Sequence, residues 1–485
     1  MQFNWKVIIH ILGILLLMNA FFMLTCIPFS LYYGDGDFIP LFLSSGISAI
    51  VGAGAYFFTR KHSTKDLRKK EGYLIVTGGW IFISLFGSLP YLLSGEIPGF
   101  ADAFFETISG FSTTGASILT DIESIGKGIL FWRSLTQWIG GMGIIVLTVA
   151  ILPLLGIGGM QLFVAEAPGI STDKLQPRIK ETAKRLWLIY VGLTVTELIV
   201  LMLGGMDFFD AINHSFATMS SGGFSTKNAS IAYYNSPFID YVIMIFMILA
   251  GTNFTMTYFA LHNRFDKVFQ NEEFKIYLLV LGFTGLIATL GIYHLGNSSI
   301  EKSFRDGFFQ VVSVVTTTGF VTADFTAWTP FLTILFFVLM FLGASAGSTA
   351  GGVKIVRHLI LIKNSILELK RQIHPAAIIP VRFNEKAISR DITYNILAFI
   401  MIYISIFAIG SLIMGLLGLD FLTSIGAVAT CLGNIGPGIG TVGPVNNFSH
   451  LPDTAKWVLS FLMLIGRLEL FTVLILFTPY FWKKF

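Results

Sequence analysis

Hydrophobic residues in this chain fall in long runs separated by short polar segments. Runs of about 20 residues or more recur at 7–29, 39–58, 129–158, 186–204, 238–261, 391–418 and 455–481, each long enough as a helix to cross ~30 Å of hydrocarbon. The first run is too long for the apolar core of a secretion signal and lacks a small-x-small cleavage pattern before its end, so it is read as a retained helix. The pattern predicts lipid-embedded helices and leaves no room for a water-soluble domain.

Four shorter segments between these runs share one shape. They read DAFFETISGFSTTGAS from Asp102, DAINHSFATMSSGGFS from Asp210, DGFFQVVSVVTTTGFV from Asp306 and TSIGAVATCLGNIGPG from Thr423. In each, the Asp or Thr stands 13 residues before a glycine, namely Gly115, Gly223, Gly319 and Gly436. Asp and Thr are good N-caps, because a side-chain oxygen can accept from the free amides of a first turn. These segments are therefore read as half-helices that enter the membrane and stop at a Ser/Thr/Gly-rich loop, where non-helical backbone is tolerated only facing water or protein.

The repeating unit is then helix, half-helix, loop, helix. Four units are expected at 71–160, 181–263, 274–362 and 391–485, and residues 1–60 add a helix pair joined by the turn-prone YYGDGD. The expected fold is an all-α polytopic membrane protein with ten spanning helices, in which four helix–pore-loop–helix repeats surround one pore.

Composition agrees, with 54% hydrophobic and 12% charged residues, far from the balance of a soluble domain. Charge distribution sets the orientation. Basic residues cluster at Arg60, Lys61, Lys65, Arg68, Lys69 and Lys70, at Lys174, Arg178, Lys180, Lys184 and Arg185, across 354–390, and at Lys483 and Lys484. Asp35, Asp37, Glu96, Asp121 and Glu123 mark the other side. By the positive-inside rule both termini are expected in the cytoplasm, and beside membrane spans such runs report topology rather than nucleic-acid binding. Two cysteines, Cys26 and Cys431, indicate no disulfide or metal framework.

The candidate chemistry lies where the half-helices end: Thr113-Thr114-Gly115, Ser221-Gly222-Gly223, Thr317-Thr318-Gly319 and Asn434-Ile435-Gly436. Carrying a cation through lipid requires oxygens in place of its hydration shell, and a glycine in left-handed conformation lets successive carbonyls point inward. The C-terminal ends of the half-helices add partial negative charge. A single such loop is more often a helix C-cap with glycine in the left-handed position; four at matched spacing in one chain reverse that and favour one filter.

The loops TTGAS, SGGFST, TTTGF and NIGPGIG together resemble the Trk/Ktr/HKT superfamily of cation transporters, over nearly the whole chain. The N-terminal helix pair aligns it with the TrkH-type membrane subunits of bacterial potassium uptake. The resemblance implies a pseudo-fourfold chain around one pore in the bacterial inner membrane, a homodimer with a pore in each protomer, and a cytosolic TrkA-like nucleotide-binding ring as regulator. It implies K+ as the transported ion, Rb+ and Na+ as further candidates, and no cofactor in the chain. In some plant relatives a serine at the first filter glycine is associated with sodium passage; Gly115 therefore favours potassium. The basic segments 60–71, 173–186 and 354–390 are the expected docking surface of the ring.

After the third loop comes GASAGSTAGG, from Gly343 to Gly352. Gly343, Gly347 and Gly351 at every fourth position could form a face for close helix packing, but so many glycines make an unsupported helix poor. Together with Gly352 and the position just past a filter, they favour an intramembrane loop, which the resemblance implies as a pore obstruction. Arg467 lies deep in the last apolar run, too far from either surface to snorkel. It is expected to project below the filter, meet carbonyls of the 343–352 loop and oppose cation flow; the alternative is an arginine that ties two helices together. Glu469, two residues on, should point elsewhere. Glu106, His214 and Glu197 are read as interhelical hydrogen-bonding groups, and QWIGGMG from Gln137 as close packing.

Two other classes fit poorly. Proton- or sodium-coupled carriers usually carry inverted repeats and an intramembrane carboxylate, whereas these repeats share one sense and no acidic residue stands beside a filter glycine. A membrane enzyme would need clustered nucleophile and base, and the eight histidines are scattered.

Overall fold

The computed structural model describes residues 3–60, 69–141, 143, 179–296, 299–375, 377 and 379–483. Lys61, Lys65, Arg68, Lys174, Arg178, Lys484, Met142 and the apolar run beyond Gly143 lie outside the described residues. What is described is helical apart from short 3₁₀ turns and one small hairpin, Arg382–Phe383 with Lys386–Ala387.

The N-terminal pair consists of Trp5–Leu24, continued by Ile27–Tyr33, and Phe38–Thr59. The two cross where both are glycine: a Cβ on Gly13 would lie 2.8 Å from the Gly52 carbonyl oxygen, and one on Gly52 2.8 Å from that of Gly13. Small residues allow this approach, which in lipid replaces the hydrophobic drive for helices to associate. The turn after Tyr33 then docks on the first repeat, where Asp35 accepts from the Lys127 amide at 2.7 Å.

Each repeat has the expected order. The half-helices are Phe100–Phe111, Phe208–Met219, Ile300–Val315 and Phe421–Gly433. At ~1.5 Å per residue none can span the membrane. Lys69–Gly87, Ile179–Leu203, Glu272–Tyr293 and Arg390–Leu416 precede them. Lys127–Gly141, Pro237–Gly251, Pro330–Leu339 and Asp453–Arg467 follow. The helices after the second and fourth half-helices are sharply broken, by 107° before Phe254–Leu261 and by 111° before Phe471–Phe477.

Among the described residues six helices are long and apolar enough to cross a membrane, or eight if each bent pair is one span. A count of ten needs Lys127–Gly141, which runs into undescribed residues, and Pro330–Leu339, which is short. The chain is thus an all-α polytopic membrane fold with pseudo-fourfold repeats and an added N-terminal pair.

The caps differ from expectation. Asp207, Ser299 and Asp420 cap the second to fourth half-helices through side-chain oxygens, and Gly99 stands at the first. Asp102, Asp210 and Thr423 lie one turn inside, and Asp306 deeper still. A first-turn carboxylate still complements the free amides, and it ties the half-helix outward. Asp102 pairs with Lys456 at 2.5 Å, and Asp210 accepts from Thr226 Oγ1 at 2.6 Å and Tyr234 OH at 2.8 Å.

Candidate ion pathway

Each half-helix ends in the same turn. The amides of Thr114, Gly222, Thr318 and Ile435 bond back to the carbonyls of Ser109, Ala217, Ser313 and Thr430, at 2.8, 2.8, 2.8 and 3.0 Å. This is the six-to-one bond of a Schellman cap, which requires a left-handed residue just before the donor. That residue is usually glycine. Here it is Thr113 (φ 53°), Ser221 (57°), Thr317 (55°) and Asn434 (53°), at a cost of ~1–2 kcal/mol each. Two residues on, Gly115 (78°), Gly223 (71°), Gly319 (82°) and Gly436 (105°) are left-handed again. Alternating handedness turns successive carbonyls to one side of the strand, the geometry a cation filter needs. The sequence pattern marked the glycine of each loop; the paired left-handed residue was not expected, because Thr, Ser and Asn rarely adopt it.

The four loops meet in a closed ring. A Cβ on Gly115 would lie 2.1 Å from the Gly222 carbonyl oxygen, one on Gly223 1.9 Å from that of Thr318, one on Gly319 2.1 Å from that of Ile435, and one on Gly436 2.8 Å from that of Thr114. Each glycine thus abuts the central carbonyl of the next repeat, and the fourth returns to the first. All twelve residues of the expected triplets are therefore brought together.

Behind the ring stand braces. Nine residues before the filter glycine, the first three half-helices carry Glu106, His214 and Gln310. Glu106 accepts from the Ile118 amide (2.9 Å) and Ser117 Oγ (3.0 Å), His214 Nε2 meets Ser225 Oγ (2.9 Å), and Gln310 Nε2 donates to Thr322 Oγ1 (3.3 Å). Each ties its half-helix to the strand leaving its own loop; in the fourth repeat the position is Ala427. Glu106 also pairs with Arg133 at 2.7 Å, and Arg133 donates to the Ser225 carbonyl at 3.0 Å. Gln137 donates to the Gly222 carbonyl at 2.7 Å and accepts from the Phe224 amide at 3.0 Å. The QWIGGMG run therefore does more than pack. Its glycines do lie close, a Gly140 Cβ falling 2.0 Å from the Phe111 carbonyl oxygen, but its glutamine clamps the second loop. Glu197 is fully buried in Ile179–Leu203, and its polar neighbour is the Thr218 side chain of the adjoining half-helix.

The segment from Gly343 to Gly352 is not helical, so its glycines make no packing face; Gly347 (φ 73°) and Gly352 (65°) are left-handed. The loop lies against the glycine ring. Thr349 Oγ1 meets Ser221 Oγ at 2.9 Å, the Gly351 amide donates to Thr317 Oγ1 at 2.7 Å, and a Cβ on Gly351 would reach Asn434 Cβ at 2.7 Å. Gly343 sits where a Cβ would be 2.6 Å from the Gly351 carbonyl oxygen, which closes the loop on itself. Two of its amides also complete the broken helix of the second repeat, Ser345 N donating to Gly251 O (3.1 Å) and Thr349 N to Ala250 O (3.3 Å), while Ala346 N donates to Glu273 Oε1 (2.7 Å) at the start of Glu272–Tyr293.

Arg467 donates to the Thr349 carbonyl at 2.9 Å and to those of Gly140 and Gly141, the latter at 3.0 Å. It thus reaches the loop as expected, and also satisfies the free carbonyls ending Lys127–Gly141. Glu469 pairs with Arg357. The arrangement brings the carbonyl-bearing ring, the 343–352 loop and the Arg467 guanidinium into contact with one another in sequence, the loop touching the ring and the guanidinium touching the loop.

Comparison with known proteins agrees with this geometry. A family model described as a cation transport protein, TrkH, matches residues 39–484. The chain is 41% identical to the Trk system potassium uptake protein TrkH of Escherichia coli K12, covering 99% of this chain and 100% of that protein. It is 40% identical to the protein of the same name from Halomonas elongata, covering 99% of each. The crystal structure of the potassium transporter TrkH from Vibrio parahaemolyticus superposes with a TM-score of 0.89 at 38% identity, over 99% of this chain and 100% of that one. The chain belongs to the TrkH family of cation transport proteins, membrane transporters rather than enzymes.

Proposed function

We propose that this chain is the potassium-conducting membrane subunit of a Trk-type uptake system, its four triplets forming one selectivity filter. The observation that carries this reading is the closed ring in which Gly115, Gly223, Gly319 and Gly436 each abut the next repeat's carbonyl. Carbonyls replace the hydration shell of a weakly hydrated alkali ion, and the aligned half-helix ends favour a monovalent charge without trapping it. Relatives across the whole length are named for potassium uptake.

The loop around Gly343, Gly347, Gly351 and Gly352 is the gate, and Arg467 its electrostatic bar. A guanidinium held by three carbonyls beside the path repels a cation in a low-dielectric setting. The repeats bounded at 71–160, 181–263, 274–362 and 391–485 form one pore per chain, two chains pair as a homodimer in the bacterial inner membrane, and a cytosolic TrkA-like ring acts on the basic face. Both termini lie on the cytoplasmic side. Stacking of Phe3 on Phe481 at 5.6 Å and the bond from Lys70 Nζ to the Phe481 carbonyl at 2.9 Å support a shared side.

Uptake of Rb+ and Na+ into liposomes holding the purified chain tests the reading. Rb+ should enter ahead of Na+, Gly115→Ser should raise the Na+ share, and Arg467→Ala should raise total flux. Absence of cation flux in the wild-type chain and in Arg467→Ala alike would refute it.

A further inference from the structure

We propose that Arg357 and Glu469 are positioning residues for Arg467, and that their ion pair couples the helix after the gating loop to the arginine that bars the path. The inference rests on the gating reading above. The last helix stops at Arg467, and the chain turns by 111° through Leu468, Glu469 and Leu470 before Phe471–Phe477. Glu469 (φ 55°) and Leu470 (φ 56°) are both left-handed. Two such non-glycine residues in a row are a conformation that side chains disfavour and that outside contacts must hold.

Leu470 is held by burial in the core, and Glu469 by the helix that follows the loop. Glu469 Oε2 accepts from Arg357 Nη2, in the first turn of Ile355–Ile373, which begins where the gating loop ends at Lys354. The Arg357 guanidinium also lies 4.0 Å over the Phe399 ring, and Phe399 meets Phe471 edge-on at 6.1 Å. Arg357 therefore holds the bend itself through Glu469 and the segment after it through Phe399 onto Phe471. The pair is largely shielded, with side-chain exposures of 8% and 18%, so removing one charge leaves the other buried and unpaired.

The geometry makes a double clamp. Arg467 holds the middle of the loop at Thr349, and Glu469, two residues on, holds the helix leaving the loop. Moving Ile355–Ile373 pulls Glu469, and only Leu468 separates Glu469 from Arg467, so the pull reaches the guanidinium through one residue. The helix is reachable from outside the bundle, since Ile362, Ile366, Leu369 and Ile373 on one face are exposed.

The test is Rb+ uptake by full-length chains in liposomes, comparing wild type with Arg467→Ala, Arg357→Gln, Glu469→Gln and the Arg357→Gln/Glu469→Gln double variant. Arg467→Ala should raise uptake. Each single glutamine variant should raise it by about 3-fold or more, and the double variant no further than the larger single effect, as expected when two residues act through one contact. Arg357→Lys, which keeps the charge, should return uptake toward wild type.

If Arg467→Ala leaves uptake unchanged, the gating reading fails and this inference with it. If Arg467→Ala raises uptake while both glutamine variants stay at the wild-type rate, only the coupling is overturned. Multiplicative effects in the double variant also overturn it, because they mean independent action. Should a glutamine variant elute aggregated, Glu469→Ala or Arg357→Met, which likewise removes the charge, replaces it under the same criteria.

Discussion

A Cβ on Gly223 would sit 1.9 Å from the Thr318 carbonyl oxygen, so the second and third repeats touch at a point where no side chain fits. The neighbour is backbone and cannot swing aside. Gly223→Ala should therefore open the ring rather than adjust it, and the left-handed φ of 71° adds strain of ~1 kcal/mol or more. Rb+ uptake is expected to fall at least about tenfold while the protein remains in the membrane, since 1.4 kcal/mol at the rate-limiting geometry suffices. Uptake at the wild-type rate would separate the ring from conduction.

Gln137 spans the second loop, from the Gly222 carbonyl to the Phe224 amide. Gln137→Leu keeps the bulk and strands both groups, at about 1–3 kcal/mol for each buried polar group left unpaired. The expected result is a lower Rb+ to Na+ uptake ratio, because a loop free to move no longer holds its carbonyls at one distance. An unchanged ratio would make Gln137 a packing residue only.

Asp37 lies in the turn joining the N-terminal pair, against the start of Lys127–Gly141, where a Cβ on Gly126 would reach its Oδ2 at 1.7 Å. Burial pushes its carboxyl up to about 6 from an ordinary 3.8; the Ile129 amide pulls the other way, and Glu96 and Asp35 add to the rise. The sign follows from linkage: the folded protein keeps a proton that the unfolded chain has already lost. The contribution to stability is full below the unfolded value and is lost as pH rises through 6. Asp37→Asn keeps an acceptor without the charge, so it should raise the Tm in detergent by roughly 1–2 °C at pH 8 and by less at pH 5. Equal effects at both pH values would show that Asp37 stays ionised throughout.

How far residues reveal a structure depends on how local the governing physics is. The 13-residue interval to each glycine and the length of each apolar run reflect helix rise and membrane thickness, so half-helices, loops and the N-terminal pair were legible. Caps were legible to within a turn in the first, second and fourth repeats, since Asp207 and Asp210 both suit the start of a helix, but not in the third, where Ser299 and not Asp306 is the cap. Glu106, His214 and Gln310 stand at one position of three aligned repeats, a signal present in the chain and recoverable by reading the repeats in register.

The sequence by itself therefore determined that the chain crosses a membrane in four similar units, each with a capped half-helix ending in a glycine loop, because solvation and helix geometry act over a few neighbouring residues. Only the tertiary structure decided that the loops close one ring, that Gln137 braces Gly222 across 85 residues, and that Arg467 joins Gly140 across 327. It also decided that Thr113, Ser221 and Thr317 take a left-handed backbone, since their own preference is against it and the surrounding packing overrules that preference.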